Sequence, residues 1–187
     1  MRFKVVILII LAGLAFLSFM NGSDQPATGI QVGNKVPAIN SRLLNGEPFN
    51  LDSLKGKMVL IDFWASYDAP SRLENARKKM ILEAYKNSGF INAQGLVIVS
   101  ISLDRFKSPL NQSIQRDEID HFLHLCDFKG RESELARQFS VQNQLSDFLI
   151  DGEGRIVARG PHLDDIENTL KRLEQIDPSR LAAYRRR

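Results

Sequence analysis

The stretch Met58–Arg72, MVLIDFWASYDAPSR, joins an apolar run to a turn and to the start of a helix. Its first part, Met58–Phe63, is apolar apart from Asp62 and predicts the central strand of a sheet. A tight turn follows, and a helix is predicted to begin between Asp68 and Ser71, because Asp and Ser are favoured where helices start. This strand, turn and helix form the unit on which the fold prediction depends.

The turn of this unit resembles the active-site loop of the thioredoxin superfamily. The resemblance is carried by Phe63–Ser66, FWAS, followed by the aromatic Tyr67 and, three residues later, by Pro70. The branch it resembles contains the TlpA-like and redoxin-like proteins, which are membrane-anchored proteins of bacterial envelopes. In that branch the loop reads Trp-Ala-x-aromatic-Cys-x-Pro-Cys-Arg. Asp68 therefore stands at the position of the nucleophilic cysteine, and Ser71 stands at that of the resolving cysteine.

The residues at these two positions exclude thiol–disulfide exchange at the loop. A thioredoxin-type reaction needs a thiolate at the start of the helix and a second thiol one turn later, and neither Asp68 nor Ser71 can form a disulfide. Peroxiredoxin chemistry also needs a cysteine near Asp68. An Asp at this place instead caps the helix and complements its dipole, each contribution being worth roughly 0.5–2 kcal/mol. We therefore predict a degenerate motif with no catalytic residue.

A second position departs from the family pattern. The resemblance implies a cis-proline before the strand that opens the C-terminal hairpin, where it faces the active cysteines, and this chain has Leu145 there. A cis peptide bond before a residue other than proline costs about 2.5–4 kcal/mol, so the bond before Leu145 is predicted to be trans. Trp64, Tyr67 and Pro70 remain around the altered motif and are predicted to form a binding surface.

The remaining elements follow the order of the thioredoxin fold. An N-terminal hairpin is predicted between Val36 and Phe49, with a turn at Asn45-Gly46, and the first helix is predicted to reach Ser88. The later elements are predicted as a strand at Leu96–Leu103, helices at Asp117–Leu125 and Glu132–Phe139, a hairpin at Asp147–Ala158 and a helix at Leu163–Ile176. The predicted architecture is α/β and thioredoxin-like: a central mixed sheet flanked by helices, with an N-terminal hairpin extension.

The composition is that of a globular protein with little net charge in its main part. The 187 residues include 25 basic and 22 acidic side chains. Of the basic ones, Arg2 and Lys4 precede an apolar segment, and Arg185–Arg187 end the chain. A main part so close to neutral offers no basic surface for nucleic acid. The final arginines are predicted to lie in a solvated tail.

The N-terminal segment predicts export from the cytoplasm. Val5–Met20 is almost entirely apolar and follows Arg2 and Lys4. This pattern is typical of a signal peptide or of a membrane anchor, since about 17 apolar residues can span a bilayer. In both cases the rest of the chain lies on the extracytoplasmic side of the inner membrane, in the periplasm. The predicted organisation is a signal peptide or anchor (1–22), a linker (23–32), a thioredoxin-like domain (33–177) and a basic tail (178–187).

Asp62 is kept although the two cysteines are lost. The resemblance implies that an Asp at this point of the strand is buried behind the cysteines and handles their protons. Without the cysteines, two alternatives remain. Asp62 could form a carboxylate pair with Asp68, in which one pKa is raised, or it could be buried and hydrogen-bonded to water or backbone.

Cys126 is the one cysteine of the sequence and follows His121 and His124 in the pattern His-x-x-His-x-Cys. If this segment is helical, the two histidines share a face and, with the thiolate, offer three zinc ligands without a clear fourth. Cys126 could instead be a reactive thiol whose pKa is lowered by the histidines, or a buried, inert cysteine at the end of a helix. No metal ion and no cofactor are predicted.

Three functional hypotheses are compatible with these features. The first is a binding module, which holds a peptide or an envelope protein in the groove between Trp64–Pro70 and Leu145 without reacting with it. The second is a one-cysteine redox or antioxidant protein that acts through Cys126. The third is a scaffold without a ligand. Fold alone does not choose among them, because function depends on the site and not on the architecture.

Overall fold

A computed structural model of the chain describes residues 26–175. Its strands are β1 (Asn40–Arg42), β2 (Pro48–Asn50), β3 (Met58–Trp64), β4 (Leu96–Ser102), β5 (Leu123–Leu125), β6 (Asp147–Ile150) and β7 (Ile156–Gly160). Its α-helices are α1 (Ala69–Tyr85), α2 (Lys107–Arg116), α3 (Glu134–Gln138) and α4 (Leu163–Leu173), and short 3-10 helices cover Leu51–Leu54 and Gly130–Glu132.

Strand β3 lies at the centre of a five-stranded mixed sheet with the order β5-β4-β3-β6-β7. It runs parallel to β4 and antiparallel to β6, and all of its residues are buried. The separate hairpin of β1 and β2 precedes it. This arrangement confirms the predicted thioredoxin-like fold, including the mixed sheet and the N-terminal hairpin.

The two faces of the sheet pack against different elements, because successive side chains of a strand point to opposite faces. Leu60 and Trp64 of β3 face the side covered by α1, α2 and α4. Ile61 and Phe63 face the side covered by α3 and by the N-terminal hairpin. Asp62 lies two residues after Leu60, so its side chain points to the same face of the sheet, toward α1. This places the carboxylate beneath the helix that carries the predicted motif.

The segment that precedes the hairpin packs on the sheet, although most of it was predicted to be a linker. The backbone N–H of Lys35 donates to the carbonyl of Ala27, and that of Gly33 donates to the carbonyl of Ile156 in β7. Arg159 of β7 also donates to the carbonyl of Ile30 at 2.9 Å. The linker prediction is therefore wrong for residues 27–32, which belong to the domain.

The region between β4 and β6 differs most from the prediction. A helix was expected at Asp117–Leu125, but the helix α2 ends at Arg116, and Leu123–Leu125 forms the strand β5. Pro109 lies in the first turn of α2, where a missing backbone N–H has no consequence. The apolar residues of a segment this short fit both periodicities, and pairing with β4 favours the strand.

The predicted ends of the chain lie outside the described residues. This applies to the signal peptide or anchor, 1–22, and to the tail, 178–187. Between residues 26 and 175, the structure contains no helix that combines the length and the apolar character needed to cross a membrane.

Candidate functional site

The loop between β3 and α1 is built around a helix cap. Asp68 is the N-cap of α1, and its carboxylate accepts the backbone N–H of Ser71 at 2.9 Å. The Ser71 hydroxyl donates back to the carbonyl of Asp68 at 3.0 Å and accepts the N–H of Ala65 at 3.4 Å. The predicted capping role of Asp68 is confirmed. Asp68 and Ser71, which stand where the family pattern has cysteines, are thus hydrogen-bonded to each other.

The three residues predicted to form a binding surface are not equivalent. Trp64 is 0% exposed and packs in the core on the α1 side, so its assignment to a binding surface is wrong. Tyr67 is 62% exposed, and its hydroxyl donates to the carbonyl of Leu103 at 3.3 Å. Pro70 is exposed at the start of α1. Strand β3 extends one residue further than predicted, and this keeps Trp64 inside.

Asp62 is paired with a buried lysine that the sequence analysis did not identify. Lys78 of α1 is 1% exposed, and its Nζ lies 2.6 Å from Oδ1 of Asp62. The hydroxyl of Ser100, in β4, donates to Oδ2 of Asp62 at 3.4 Å. The predicted alternatives for Asp62, a pair with Asp68 or a bond to water or backbone, are replaced by this ion pair. Burial opposes the charge of Lys78, but the carboxylates around it raise its pKa overall.

Asp147 adds a second carboxyl to this buried cluster. It lies opposite Asp62 in the register of β3 and β6, it is 3% exposed, and its Oδ2 lies 3.8 Å from Lys78 Nζ. Burial raises the pKa of Asp147 well above its ordinary value, and the negative charges of Asp62 and Glu74 act in the same direction, against that of Lys78. Its carboxyl therefore holds a proton more tightly than an exposed Asp does.

The sequence contains signals for this cluster. Lys78 lies on α1 at helical spacing from the buried residues Asn75 and Ile81, so a lysine stands on the apolar face. Asp62 and Asp147 each stand in an otherwise apolar strand. Only the strand register brings the two carboxyls together, and the sequence does not give the register.

A groove passes the start of α1, and we call it the peptide groove. Its volume is about 330 Å³, and its walls are formed by Asp68, Pro70 and Glu74 on one side and by the 143–147 segment on the other. The peptide bonds of the described chain, including the one before Leu145, are all trans, as predicted for that residue. Within residues 26–175, the backbone groups of Gln144 and Leu145 make no hydrogen bond.

An apolar pocket of about 470 Å³ adjoins the groove, and we call it the aromatic pocket. It is lined by Tyr67, Phe106, Pro109, Arg105 and Arg131, among others, and Phe106 is 71% exposed. Arg131 lines both the pocket and the groove. Its Nη1 donates to the carbonyls of residues 142 and 143, at 2.5 and 3.3 Å, which fixes the segment between the two cavities.

Cys126 and the two histidines do not form a common site. His121 is exposed with its ring edge against Phe122, whereas His124 is buried with its Nε2 2.7 Å from the carbonyl of Ile119. Because β5 replaces the predicted helix, the two histidines do not share a helix face. Between residues 26 and 175, no group of three His, Cys, Asp or Glu side chains is placed to hold a metal ion.

The thiol of Cys126 is half-buried and follows β5. Its Sγ lies 3.5 Å from the carbonyl oxygen of Asp104, to which it donates. Burial raises the pKa of Cys126, the reverse of the shift that a reactive thiol needs. The fraction of thiolate at neutral pH is therefore smaller than for an exposed cysteine.

The fold, the helix cap at the motif and the adjoining groove define a thioredoxin-like protein of the TlpA-like type. The chain belongs to the Redoxin family, whose model matches residues 31–176. By sequence and fold it is similar to thioredoxin-like proteins that are named thiol–disulfide oxidoreductases.

Known proteins similar to this chain carry names of that class. The thiol-disulfide oxidoreductase ResA of Bacillus cereus is 23% identical over 84% of this chain and 85% of its own, and the thioredoxin-like protein YneN of Bacillus subtilis is 27% identical over 81% and 84%. Among solved structures, the thioredoxin domain of a thiol-disulfide oxidoreductase from Bacteroides vulgatus is 26% identical and has a TM-score of 0.66, with 77% of this chain and 98% of that chain covered.

Proposed function

We propose that this domain binds an extended segment of a peptide or of an envelope protein in the peptide groove and does not exchange disulfides with it. The observation that carries the proposal is the state of the motif: the groove is open beside α1, while Asp68, at the nucleophile position, is engaged as a helix cap. A carboxylate and a hydroxyl at these positions cannot form a mixed disulfide with a bound segment.

The backbone at the groove supports binding of an extended chain. Gln144 is exposed and Leu145 is half-buried, and their backbone N–H and C=O groups make no hydrogen bond within residues 26–175. An extended segment that lies along them can pair with these groups as an added strand does. Such pairing gives affinity without strict dependence on sequence, since backbone groups are common to all peptides.

The aromatic pocket supports recognition of a side chain. Tyr67 and Phe106 are exposed next to each other around an apolar cavity, and exposed aromatic residues in a pocket often anchor a partner. Because Arg131 belongs to both cavities, a bound segment of a few residues reaches from the groove into the pocket. Tyr67 and Pro70 therefore remain in the proposed binding surface, and Trp64 does not.

The alternative of a one-cysteine redox protein has no comparable support. Cys126 lies at a different cavity from Asp68, its thiol is bonded to a carbonyl, and burial raises its pKa. The hydrogen bond and the burial both disfavour the thiolate, which is the reactive form.

We further propose that the domain lies on the extracytoplasmic side of the membrane, anchored or secreted. The support is the segment Val5–Met20 with the preceding Arg2 and Lys4. Protease treatment of spheroplasts tests this location: the domain should be digested while a cytoplasmic marker survives. Protection of the domain until the cells are lysed would contradict it.

Binding is tested with the full-length protein and labelled octapeptides that each contain one phenylalanine. We expect fluorescence polarisation to show saturable binding that weakens about tenfold in Tyr67→Ala/Phe106→Ala. Ile91→Ala is the matched control, because Ile91 is 68% exposed but lies outside both cavities. Absence of binding, or equal binding by the double variant and the control, would overturn the proposal.

A further inference from the structure

The two sides of helix α1 carry the reverse of the usual distribution of polar and apolar residues. Its buried side includes the polar side chains of Asn75 and Lys78. On its outer side, Leu73 is 80% exposed and Met80 is 71% exposed. The outer side of α1 is thus more apolar than a helix face that only meets water needs to be.

The exposed apolar residues of α1 form a continuous stripe, which we call the α1 stripe. They follow one another at three or four positions, the spacing that brings residues to one face of a helix. The members of the stripe are Ala69, Leu73, Ala76, Met80 and Ala84. The stripe extends over roughly 22 Å along the helix. Contiguous exposed apolar residues are uncommon on monomeric proteins and often mark a contact with another molecule.

The order of small and large side chains in the α1 stripe is the same in both directions. Ala69 and Ala84 stand at its ends, and Ala76 stands near its centre. The large side chains, Leu73 and Met80, lie between these small ones. If a second copy packs against the stripe in the antiparallel direction, Leu73 of each copy meets Met80 of the other. A contact between identical surfaces about a twofold axis requires self-complementarity of this kind.

The charged side chains on the two sides of the α1 stripe are paired within the protein. On one side, Lys79 forms an ion pair with Glu118 at 2.9 Å. On the other side, Arg77 forms an ion pair with Glu167, also at 2.9 Å. A second copy therefore approaches the stripe without strong repulsion between like charges.

We infer that the α1 stripe is the contact surface of a homodimer, in which two α1 helices pack antiparallel about a twofold axis near Ala76. The inference goes beyond the proposed function, because Glu74, which lines the peptide groove, lies on a different side of α1 from the stripe. One pair of helices buries less than the roughly 800 Å² per partner of a standard interface. The dimer is therefore expected to be weak and to depend on concentration.

A lipid surface fits the α1 stripe less well than a second copy does. A helix that lies on a membrane usually carries an excess of basic side chains beside its apolar face, whereas Lys79 and Arg77 are paired with acidic ones. The start of the described chain also lies elsewhere. Ile30 packs with the core on the α3 side of the sheet, and α1 covers the other side. An N-terminal anchor would therefore not turn the stripe toward the bilayer.

Disulfide cross-linking of the full-length protein, purified in mild detergent, tests the geometry. In a Cys126→Ser background, Ala76→Cys should form a linked dimer, because the two copies of this position lie beside the axis. Leu73→Cys or Met80→Cys alone should not, since its two copies are about 14 Å apart, too far for a disulfide. A mixture of these two variants should give a dimer that contains one chain of each. Ile91→Cys is the matched control for random collision, because Ile91 is 68% exposed and lies outside the stripe.

Sedimentation of the full-length protein tests association without added thiols. We expect the average mass to rise with concentration, and Met80→Glu to raise the dissociation constant of the dimer at least tenfold, roughly, because a twofold contact buries the new carboxylate twice. Ile91→Glu should leave the constant unchanged. Because Met80 is exposed, Met80→Glu should unfold at the same urea concentration as the native protein, which separates lost association from misfolding.

Three results would overturn the inference. The first is an average mass that stays that of a monomer at every concentration. The second is a dimer that persists unchanged in Met80→Glu. The third is cross-linking of Leu73→Cys to itself as readily as Ala76→Cys, which would exclude the antiparallel arrangement. Peptide binding is measured separately, so each of these results would leave the proposed function standing.

Discussion

The Nζ atom of Lys78 lies 2.6 Å from the Oδ1 atom of Asp62, and both side chains are almost completely buried. A buried ion pair of this kind fixes a relation between a helix and a strand, because neither charge can be left alone in the core. It ties α1, which carries the altered motif, to the central strand. The position of the motif above the sheet therefore depends on this pair.

Removal of one partner is expected to be strongly destabilising. Lys78→Met leaves Asp62 as an unpaired buried carboxylate, and we expect a loss of about 3–5 kcal/mol in the free energy of unfolding, measured with urea. The double variant Lys78→Met/Asp62→Leu should recover most of this loss, since it removes both charges. Lys86→Met, at an exposed ion pair, serves as the control. Unchanged stability in Lys78→Met would contradict the buried pairing.

Asp147 is expected to make stability depend on pH. Its pKa is higher in the folded protein than the ordinary value of 3.8, so the folded state holds the proton more tightly. The stabilisation that Asp147 gives to the folded state by holding this proton is present below about pH 4. It is lost as the pH rises toward the pKa of Asp147 in the folded protein, by at most about 1.4 kcal/mol per pH unit. Asp147→Asn should therefore gain stability relative to the native protein as the pH rises, in paired urea titrations. A difference between the two proteins that does not vary with pH would contradict the shift.

Thiols returned to the motif are expected to form a disulfide. In a Cys126→Ser background, Asp68→Cys and Ser71→Cys place two thiols one helical turn apart, the first at the N-cap of α1. The start of the helix lowers the pKa of a thiol, which favours exchange. Thiol counting should find no free thiol after oxidation and two after reduction. Two free thiols under both conditions would show that the altered loop no longer supports the bond.

Cys126 of the folded protein is expected to react slowly with thiol reagents. Burial raises its pKa, so the thiolate is scarce at neutral pH. Labelling should be slow near neutrality, accelerate only in alkaline solution and become fast in denaturant. Rapid labelling of the folded protein, with a midpoint well below about pH 8.5, would restore Cys126 as a redox candidate.

Local sequence was enough to predict the cap and the main strands. The cap could be predicted because Asp68 bonds to Ser71, only three positions away. The strands β3 and β4 could be predicted because they are mostly apolar runs, interrupted by Asp62 in β3 and by two serines in β4, as is typical of buried strands. The hairpin of β6 and β7 follows from the turn that joins two adjacent strands. In each case the deciding interaction lies within a short stretch of chain.

The buried charged cluster, strand β5 and the burial of Trp64 could not be predicted, because they depend on contacts between residues that are far apart in the sequence. The contact of Lys78 with Asp62 and Asp147 requires the register of β6 on β3 and the rotation of α1. Strand β5 replaced a predicted helix because β4 offered a partner edge. Trp64 lies in the core and not on the predicted binding surface, because β3 is one residue longer than the predicted strand Met58–Phe63.

The packing of the segment before the hairpin against β7 limits how far the domain can lie from a membrane. If Val5–Met20 lies in a bilayer, only residues 21–26 remain to join it to the packed segment. A fully extended chain of that length spans about 20 Å. The domain would therefore operate within roughly its own radius of the lipid surface, and the partners it can reach are those whose exposed segments also lie close to the membrane.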